Sequence, residues 1–251
     1  MPLIAANERV TNADVIFAVG TGLAPENMKM LSPDFIRPME QKIIQVDIEP
    51  LHVGWTYPVT IGVTSEAKCA LRAIIDAVKE RNPKIDVKKR IEEVKAFKKA
   101  HGYFENISHD STDTPIPPGR IVGEVSKVLG PDDLLVLDAG NNRIFFTHLF
   151  QSTHVGQIFA GGGAAAMGWG PPAALAAQLL NPKKRVMCPT GDGCMFMALS
   201  CLETAVQYDI PVTYVILNNS VLGNVNDFMN PQRRKITEYN EPDLASLAKA
   251  S

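Results

Sequence analysis

Val186-Met187-Cys188-Pro189-Thr190-Gly191-Asp192-Gly193, followed further on by Val212-Thr213-Tyr214-Val215-Ile216-Leu217-Asn218-Asn219, are the segments whose reading decides the fold. Each begins with an apolar run and ends on turn-forming residues, the pattern of a buried strand that stops at a loop. The second run is β-branched and aromatic, which favours a strand over a helix. Between them, Met195 to Tyr208 is rich in helix formers and predicts a helix, and Pro211 resets the chain before the second strand. Strand, helix and strand make one βαβ unit, and its crossover places both strand C-termini on the same edge of a parallel sheet. Asp192 and Asn219 are therefore expected to face one crevice.

Ligands of open α/β sheets gather at that edge. A carboxylate and an amide oxygen are hard donors suited to Mg²⁺, which keeps oxygen coordination and is often shared between protein and phosphates. At Gly193 the missing side chain leaves room for a phosphate, and the N–H groups of the next helix start favour an anion. The bland alternative is an ordinary strand-to-helix turn with Asp192 as N-cap, and Asn218-Asn219 as a plain turn.

The 251 residues suffice for two domains or one large one. A formal net charge of −2 supplies no basic field, which disfavours nucleic acid as a partner. Cys69, Cys188, Cys194 and Cys201 show no paired C-x-x-C spacing and read as reduced packing residues of a cytoplasmic protein, not as a zinc site or a disulfide framework. Residues Met1 to Arg9 lack the basic start and apolar stretch of a secretory signal. Ile158 to Leu180 is uncharged and long enough to span a bilayer, but its glycines, its Pro171-Pro172 and its alanine-rich composition predict a buried helix behind a glycine turn. No membrane association is expected.

Residues 1–80 read as a Rossmann-like α/β region. Asp14 to Val19 and Lys42 to Asp47 are buried strands, Val59 to Val63 a third, and Ser65 caps a helix with Leu71, Ile74, Ile75 and Val78 in helical register. Gly20-Thr21-Gly22 lacks the third glycine of a dinucleotide fingerprint, Pro25 standing in its place, so a structural turn is the preferred reading. Residues 81–118 form a helix and linker: Val87, Ile91 and Val94 make one apolar stripe on a lysine-rich helix, and Ser108 to Pro118 is the linker. Residues 119–251 form the second α/β domain, opening on the helix from Pro117 to Leu129 and the strand Leu134 to Leu137. The fold class is thus α/β with parallel sheets, a Rossmann-like partial domain followed by a ligand-binding one.

Gly191-Asp192-Gly193 with Asn218-Asn219 resembles the signature of thiamine diphosphate enzymes, and Glu203 to Tyr208 and Leu217 to Gly223 look like the acetolactate synthase, pyruvate oxidase and benzoylformate decarboxylase group. Gly161-Gly162-Gly163-Ala164-Ala165-Ala166-Met167-Gly168-Trp169-Gly170 is similar to the stretch that borders the thiamine pyrimidine in that group, and Asp138-Ala139-Gly140-Asn141-Asn142 to its loop at the diphosphate end. Residues 1–80 resemble the later half of the group's middle domain. Some members bind FAD there, but Leu23-Ala24-Pro25-Glu26-Asn27 replaces the acidic and basic loop of acetolactate synthases, so FAD is not supported.

The resemblance implies roles. Asp192 and Asn219 would be side-chain Mg²⁺ ligands and the Val221 carbonyl a third. Gly140, Asn141, Asn142, Gly191, Gly193 and Cys194 would approach the diphosphate, and Ala165 and Met167 would border the aminopyrimidine. Leu222, Gly223 and Asn224 complete the cofactor-binding set. The family places a bulky apolar residue where this chain has Asn224; a polar side chain there is expected beside the ring or substrate and off the surface, unless a slipped alignment gives the role to Leu222 or Val225. The catalytic glutamate of the family belongs to a pyrimidine-binding domain that the resemblance does not cover. A second chain carrying that domain, an oligomer, and a 2-keto acid or related carbonyl substrate are the expected partners. The implied activity is C–C bond cleavage or formation next to a carbonyl, with decarboxylase, carboligase, oxidase and acyl-CoA lyase all open. The alternative is a non-catalytic Rossmann-like binding or regulatory subunit.

Overall fold

Alternation of apolar side chains along short parallel strands organises both halves of the chain. The computed structural model describes residues 2–102, 107–240 and 243–251, and the chain divides into two units, residues 1–103 and 104–251.

The first unit comprises α1 (Pro2–Thr11), β1 (Val15–Val19), β2 (Lys42–Asp47), β3 (Ile61–Thr64), α2 (Ala67–Arg81) and α3 (Val87–Ala100). The strands form a parallel sheet in the order β1-β2-β3. Ile16, Ala18 and Ile43 pack with Leu23, Phe35, Ile36 and Tyr57 on one face. The period of two sends Val15 and Phe17 the other way, where they remain 50% and 45% exposed. Buried Gln45 ties the loops together, its amide donating to the Thr21 and His52 carbonyls at 3.0 Å each and accepting from Gly54 N at 2.8 Å. The Gly20 to Gly22 turn is thus knitted to the loop after β2. Glu66, and not Ser65, caps α2: its carboxylate accepts from Lys68 N and Cys69 N, which its longer side chain reaches. Leu71, Ile74, Ile75 and Val78 do share one helix face, yet they stay 38–48% exposed, and the α3 stripe of Val87, Ile91 and Val94 is exposed too. The helix α1, which has no counterpart in the sequence reading, docks on the end of α3 through Arg9 over the Phe97 ring and Glu8 against His101.

The second unit runs α4 (Pro118–Val128), β4 (Leu134–Leu137), α5 (Asn141–Leu149), β5 (Ile158–Ala160), α6 (Gly170–Leu180), β6 (Val186–Gly191), α7 (Asp192–Phe196), α8 (Ser200–Gln207), β7 (Val212–Leu217), α9 (Gly223–Phe228) and α10 (Leu244–Ala250). Its strands are all parallel, in the order β5-β4-β6-β7. Leu135, Leu137 and Met187 pack against Val122, Val125, Phe146 and Phe150 on one face, while Leu134, Val136, Val186 and Cys188 pack against Ala174 on the other. The result is a three-layer α/β/α arrangement. Burying each such side chain contributes about 1.5–3 kcal/mol, so the β4–β6 centre is the anchor of the unit.

Two local features differ from the sequence reading. The single helix expected over Met195 to Tyr208 is split, because Met197 N and Ala198 N bond three residues back to Cys194 O and Met195 O. The break lets Cys194 and Met195 bury beneath the loop while Ala198 and Cys201 turn toward Leu175 and Ile210. The uncharged stretch from Ile158 holds the short strand β5 as well as helix α6. No helix among the described residues is long and apolar enough to cross a membrane.

Candidate functional site

The strand order reverses between β4 and β6: the chain leaves β4 toward β5, then crosses to β6 and continues to β7. Such a switch point opens a crevice at the carboxyl edge of the sheet. The loops leaving β4 and β6 there are Asp138 to Asn142 and Gly191 to Gly193. Thr190 Oγ1 donates to Asp138 Oδ2 at 2.9 Å, which ties the two strand tops together under the crevice. Asp138 Oδ1 also accepts from Ala139 N at 2.8 Å. A Cβ on Gly170 would stand 2.7 Å from Asp138 Cβ, so only glycine lets α6 start this close to β4.

Asp192 does not behave as an ordinary cap. Gly191 precedes α7 as its N-cap, and the Asp192 carboxylate, 3% exposed, reaches across to the loop after β7. Oδ2 accepts from Ser220 N at 2.7 Å and Asn219 N at 3.3 Å, and Oδ1 from Gly193 N at 3.0 Å. The βαβ unit thus brings Asp192 and Asn219 together. Asn219 Oδ1 accepts from Val221 N at 3.2 Å, and the Val221 carbonyl accepts from Gly223 N at 2.8 Å. A Cβ on Gly223 would lie 2.9 Å from Asn141 Nδ2 and 3.5 Å from Asn219 Nδ2, which places the β4 loop and the β7 loop side by side. Asn141 Nδ2 further donates to Asp227 Oδ2 on α9 at 2.8 Å.

Asn142 is buried, with Nδ2 donating to Ala139 O at 2.7 Å and Oδ1 left without a partner. Arg143 carries the β4 loop to the glycine-rich segment through Nη1 and the Gly161 carbonyl, 3.0 Å apart. Ala165 adopts a positive φ of 48°. The space over Gly193 is filled from within the chain: a Cβ there would meet Tyr239 Oη at 3.0 Å, Leu222 Cδ2 at 3.1 Å and Met167 Cε at 3.4 Å. Met167, Leu222 and Gly193 are therefore neighbours. Asn224, expected off the surface, is instead exposed on α9. Thr190, Arg143, Asp227 and Tyr239 escaped the sequence reading of the site, and Asp138 entered it only as the first residue of the loop before Asn142, with no role of its own.

Burial, reinforced by the charge of Asp138, pushes the Cys194 thiol from its ordinary 9.0 up to about 11, and pushes Cys188 up further. At neutral pH Cys194 is a protonated packing group whose Sγ lies 3.5 Å from Ala139 O, not an activated nucleophile. A folded-state value above the unfolded one means the folded protein holds its proton longer. The stability this represents is complete below pH 9.0 and is lost as pH rises toward 11. Partly buried Tyr214 and Tyr239 are shifted the same way, desolvation being the first cause in each. Thermal melts should show a falling midpoint above pH 9.0, reduced in slope by Cys194→Ala; a flat profile to pH 11 would contradict the assignment.

All four cysteines are free, and among the described residues no three His, Cys, Asp or Glu side chains cluster as a metal centre. Any cation at this edge would rest on one carboxylate, an amide oxygen and a backbone carbonyl.

Comparison with known proteins points the same way. Residues 138–251 match the thiamine pyrophosphate enzyme C-terminal TPP binding domain, and residues 3–74 match the thiamine pyrophosphate enzyme central domain. A probable acetolactate synthase large subunit of Methanocaldococcus jannaschii is 31% identical across 98% of this chain and 42% of its own length. The acetolactate synthase large subunit of Haemophilus influenzae is 29% identical across 98% of this chain and 43% of its own. A putative thiamine pyrophosphate-containing protein, YdaP, of Bacillus subtilis is 27% identical across 88% of this chain and 36% of its own. The chain spans less than half the length of these relatives. With central-domain sequence in its first unit and the C-terminal cofactor-binding domain in its second, the chain belongs to the thiamine pyrophosphate enzymes.

Proposed function

We propose that residues 104–251 hold thiamine diphosphate through Mg²⁺ and form part of an acetolactate synthase-like enzyme that makes or breaks C–C bonds next to a carbonyl, with a 2-keto acid as donor. The observation that carries this reading is the convergence of Asp192 and Asn219 at the switch point, beside the Gly140 to Asn142 loop. The donors fit the group: Asp192 Oδ1, Asn219 Oδ1 and the Val221 carbonyl are hard oxygens of the kind Mg²⁺ selects, and each accepts one hydrogen bond, which leaves a lone pair for a cation. Thiamine diphosphate, when bound, supplies the nucleophilic carbon and the electron sink. Asp192, Asn219 and Val221 would hold the cation; Gly140, Asn141, Asn142, Gly191, Gly193 and Cys194 would line the diphosphate end; Ala165 and Met167 would border the pyrimidine; Leu222 and Gly223 would close the loop. Asn224, exposed on α9, would meet the substrate side. The protein would act in the cytoplasm within an oligomer that includes a pyrimidine-binding domain.

A ligand that binds only the folded state raises its stability by mass action, by about 2.7 kcal/mol at a hundred times Kd. Thiamine diphosphate with Mg²⁺ should therefore raise the melting temperature by several degrees, and neither component alone should do so. An unchanged midpoint with both present would refute the reading.

A further inference from the structure

The chain beyond α9 returns to the loop that carries Asn219. Leu222 N donates to Thr237 O at 2.9 Å, Tyr239 N donates to Ser220 O at 3.1 Å, and Val221 and Glu238 form an isolated antiparallel bridge. Thr237 is buried, accepting from Asn226 Nδ2 at 2.7 Å and donating to Arg234 O at 2.6 Å. Residues 237–239 are thus a strap fastened along residues 220–222. Ser220, to which Tyr239 is joined through the backbone, is the residue whose N–H makes the 2.7 Å bond to Asp192 Oδ2.

The strap delivers the Tyr239 ring inward. Its hydroxyl oxygen is buried, stands 3.0 Å from the point a Gly193 Cβ would occupy, and meets no partner in hydrogen-bonding geometry. Gly193 is needed here for a reason besides phosphate access, since any side chain would displace this hydroxyl. A buried hydroxyl left unpaired costs free energy, whereas phenylalanine would fill the same volume without that cost. Gly193, over which the hydroxyl stands, donates its N–H to Asp192 Oδ1 at 3.0 Å, and the same carboxylate accepts from Asn219 N and Ser220 N.

We propose that Tyr239 is a positioning residue for Asp192, its hydroxyl donating to the carboxylate and fixing its orientation when a divalent cation binds. The strap makes this possible because it holds the ring against the same loop that the carboxylate clamps. The inference rests on the reading of Asp192 as a metal ligand. Partners of ligating carboxylates typically set metal affinity by about 10–100-fold.

The test is Mn²⁺ binding followed by electron paramagnetic resonance, in the presence of thiamine diphosphate, on the 251-residue chain and on Tyr239→Phe. The variant should bind Mn²⁺ about tenfold more weakly. The melting temperature of the metal-free variant should be unchanged or higher, a result that a purely structural role for the hydroxyl would not produce. Equal Mn²⁺ affinity in the two proteins overturns the proposal, as does a loss of affinity accompanied by a lower metal-free melting temperature. A wild-type chain that binds no Mn²⁺ would refute the metal site itself, and this inference with it.

Discussion

Asp192→Ala is expected to remove Mg²⁺ and thiamine diphosphate binding together. The carboxylate is the sole charged donor among Asp192, Asn219 and Val221, and it lies buried where water cannot replace it. Truncating a buried charged partner costs about 2–5 kcal/mol, so affinity for the cation should fall on the order of 100-fold or more. Cofactor affinity should fall in step, because the proposed metal would be held by the protein and the diphosphate together. The same substitution deprives Gly193 N, Asn219 N and Ser220 N of their acceptor, and bonds to a charged group contribute about 1.5–3 kcal/mol each. The metal-free protein should therefore melt several degrees lower, and Asp192→Asn, which keeps one acceptor oxygen, should recover part of that stability without recovering the metal. Calorimetry showing undiminished cofactor affinity in Asp192→Ala would remove the site assignment.

Residues 1–251 alone, saturated with cofactor and Mg²⁺, are expected to consume no pyruvate and to leave deuterium exchange at the thiazolium carbon near its uncatalysed rate. Activation requires proton transfer at the aminopyrimidine, which the family resemblance assigns to a carboxylate of a pyrimidine-binding domain. The carboxylates at this crevice have other work. Asp138 receives Ala139 N and Thr190 Oγ1, Asp192 clamps the Asn219 loop, and Asp227 receives the Asn141 amide. Among the described residues none of these three is free to serve the cofactor ring, and a second copy of them would not add one. Supplying a chain with the pyrimidine domain should restore turnover. Exchange at an enzyme-like rate from the 251 residues alone would show that the activating group is among them.

The parts of this architecture legible in the sequence are those fixed by local pattern. The apolar runs at Leu134 to Leu137 and Val186 to Thr190 became β4 and β6, because buried parallel strands need continuous apolar side chains, and the β-branched run Val212 to Leu217 became the half-buried edge strand β7. The crossover rule puts Asp192 and Asn219 at one edge from the sequence pattern alone. What failed was set by contacts distant in sequence. β5 has three residues and no periodicity to show; its strand character comes from pairing with β4. The split between α7 and α8 follows from burying Met195 and Ala198 against different neighbours, which helix propensity does not encode. Ser65 lost the cap of α2 to Glu66 because both were possible and side-chain reach decided. Tyr239 entered the site by strap pairing across Val221 and Glu238, for which no motif exists. The apolar stripe of α2 was read correctly as a stripe, but its burial depends on what packs against it.

The central claim is that Asp192, Asn219 and Val221 form a cation-dependent cradle for thiamine diphosphate at the β4–β6 switch point. Isothermal titration of the wild-type chain with thiamine diphosphate, once in Mg²⁺ and once in chelator, tests it most directly. Saturable binding is expected in Mg²⁺ and none in chelator. Binding of equal strength in chelator would contradict the bridging cation, and no binding in Mg²⁺ would favour a non-catalytic subunit that kept the fold and lost the cofactor.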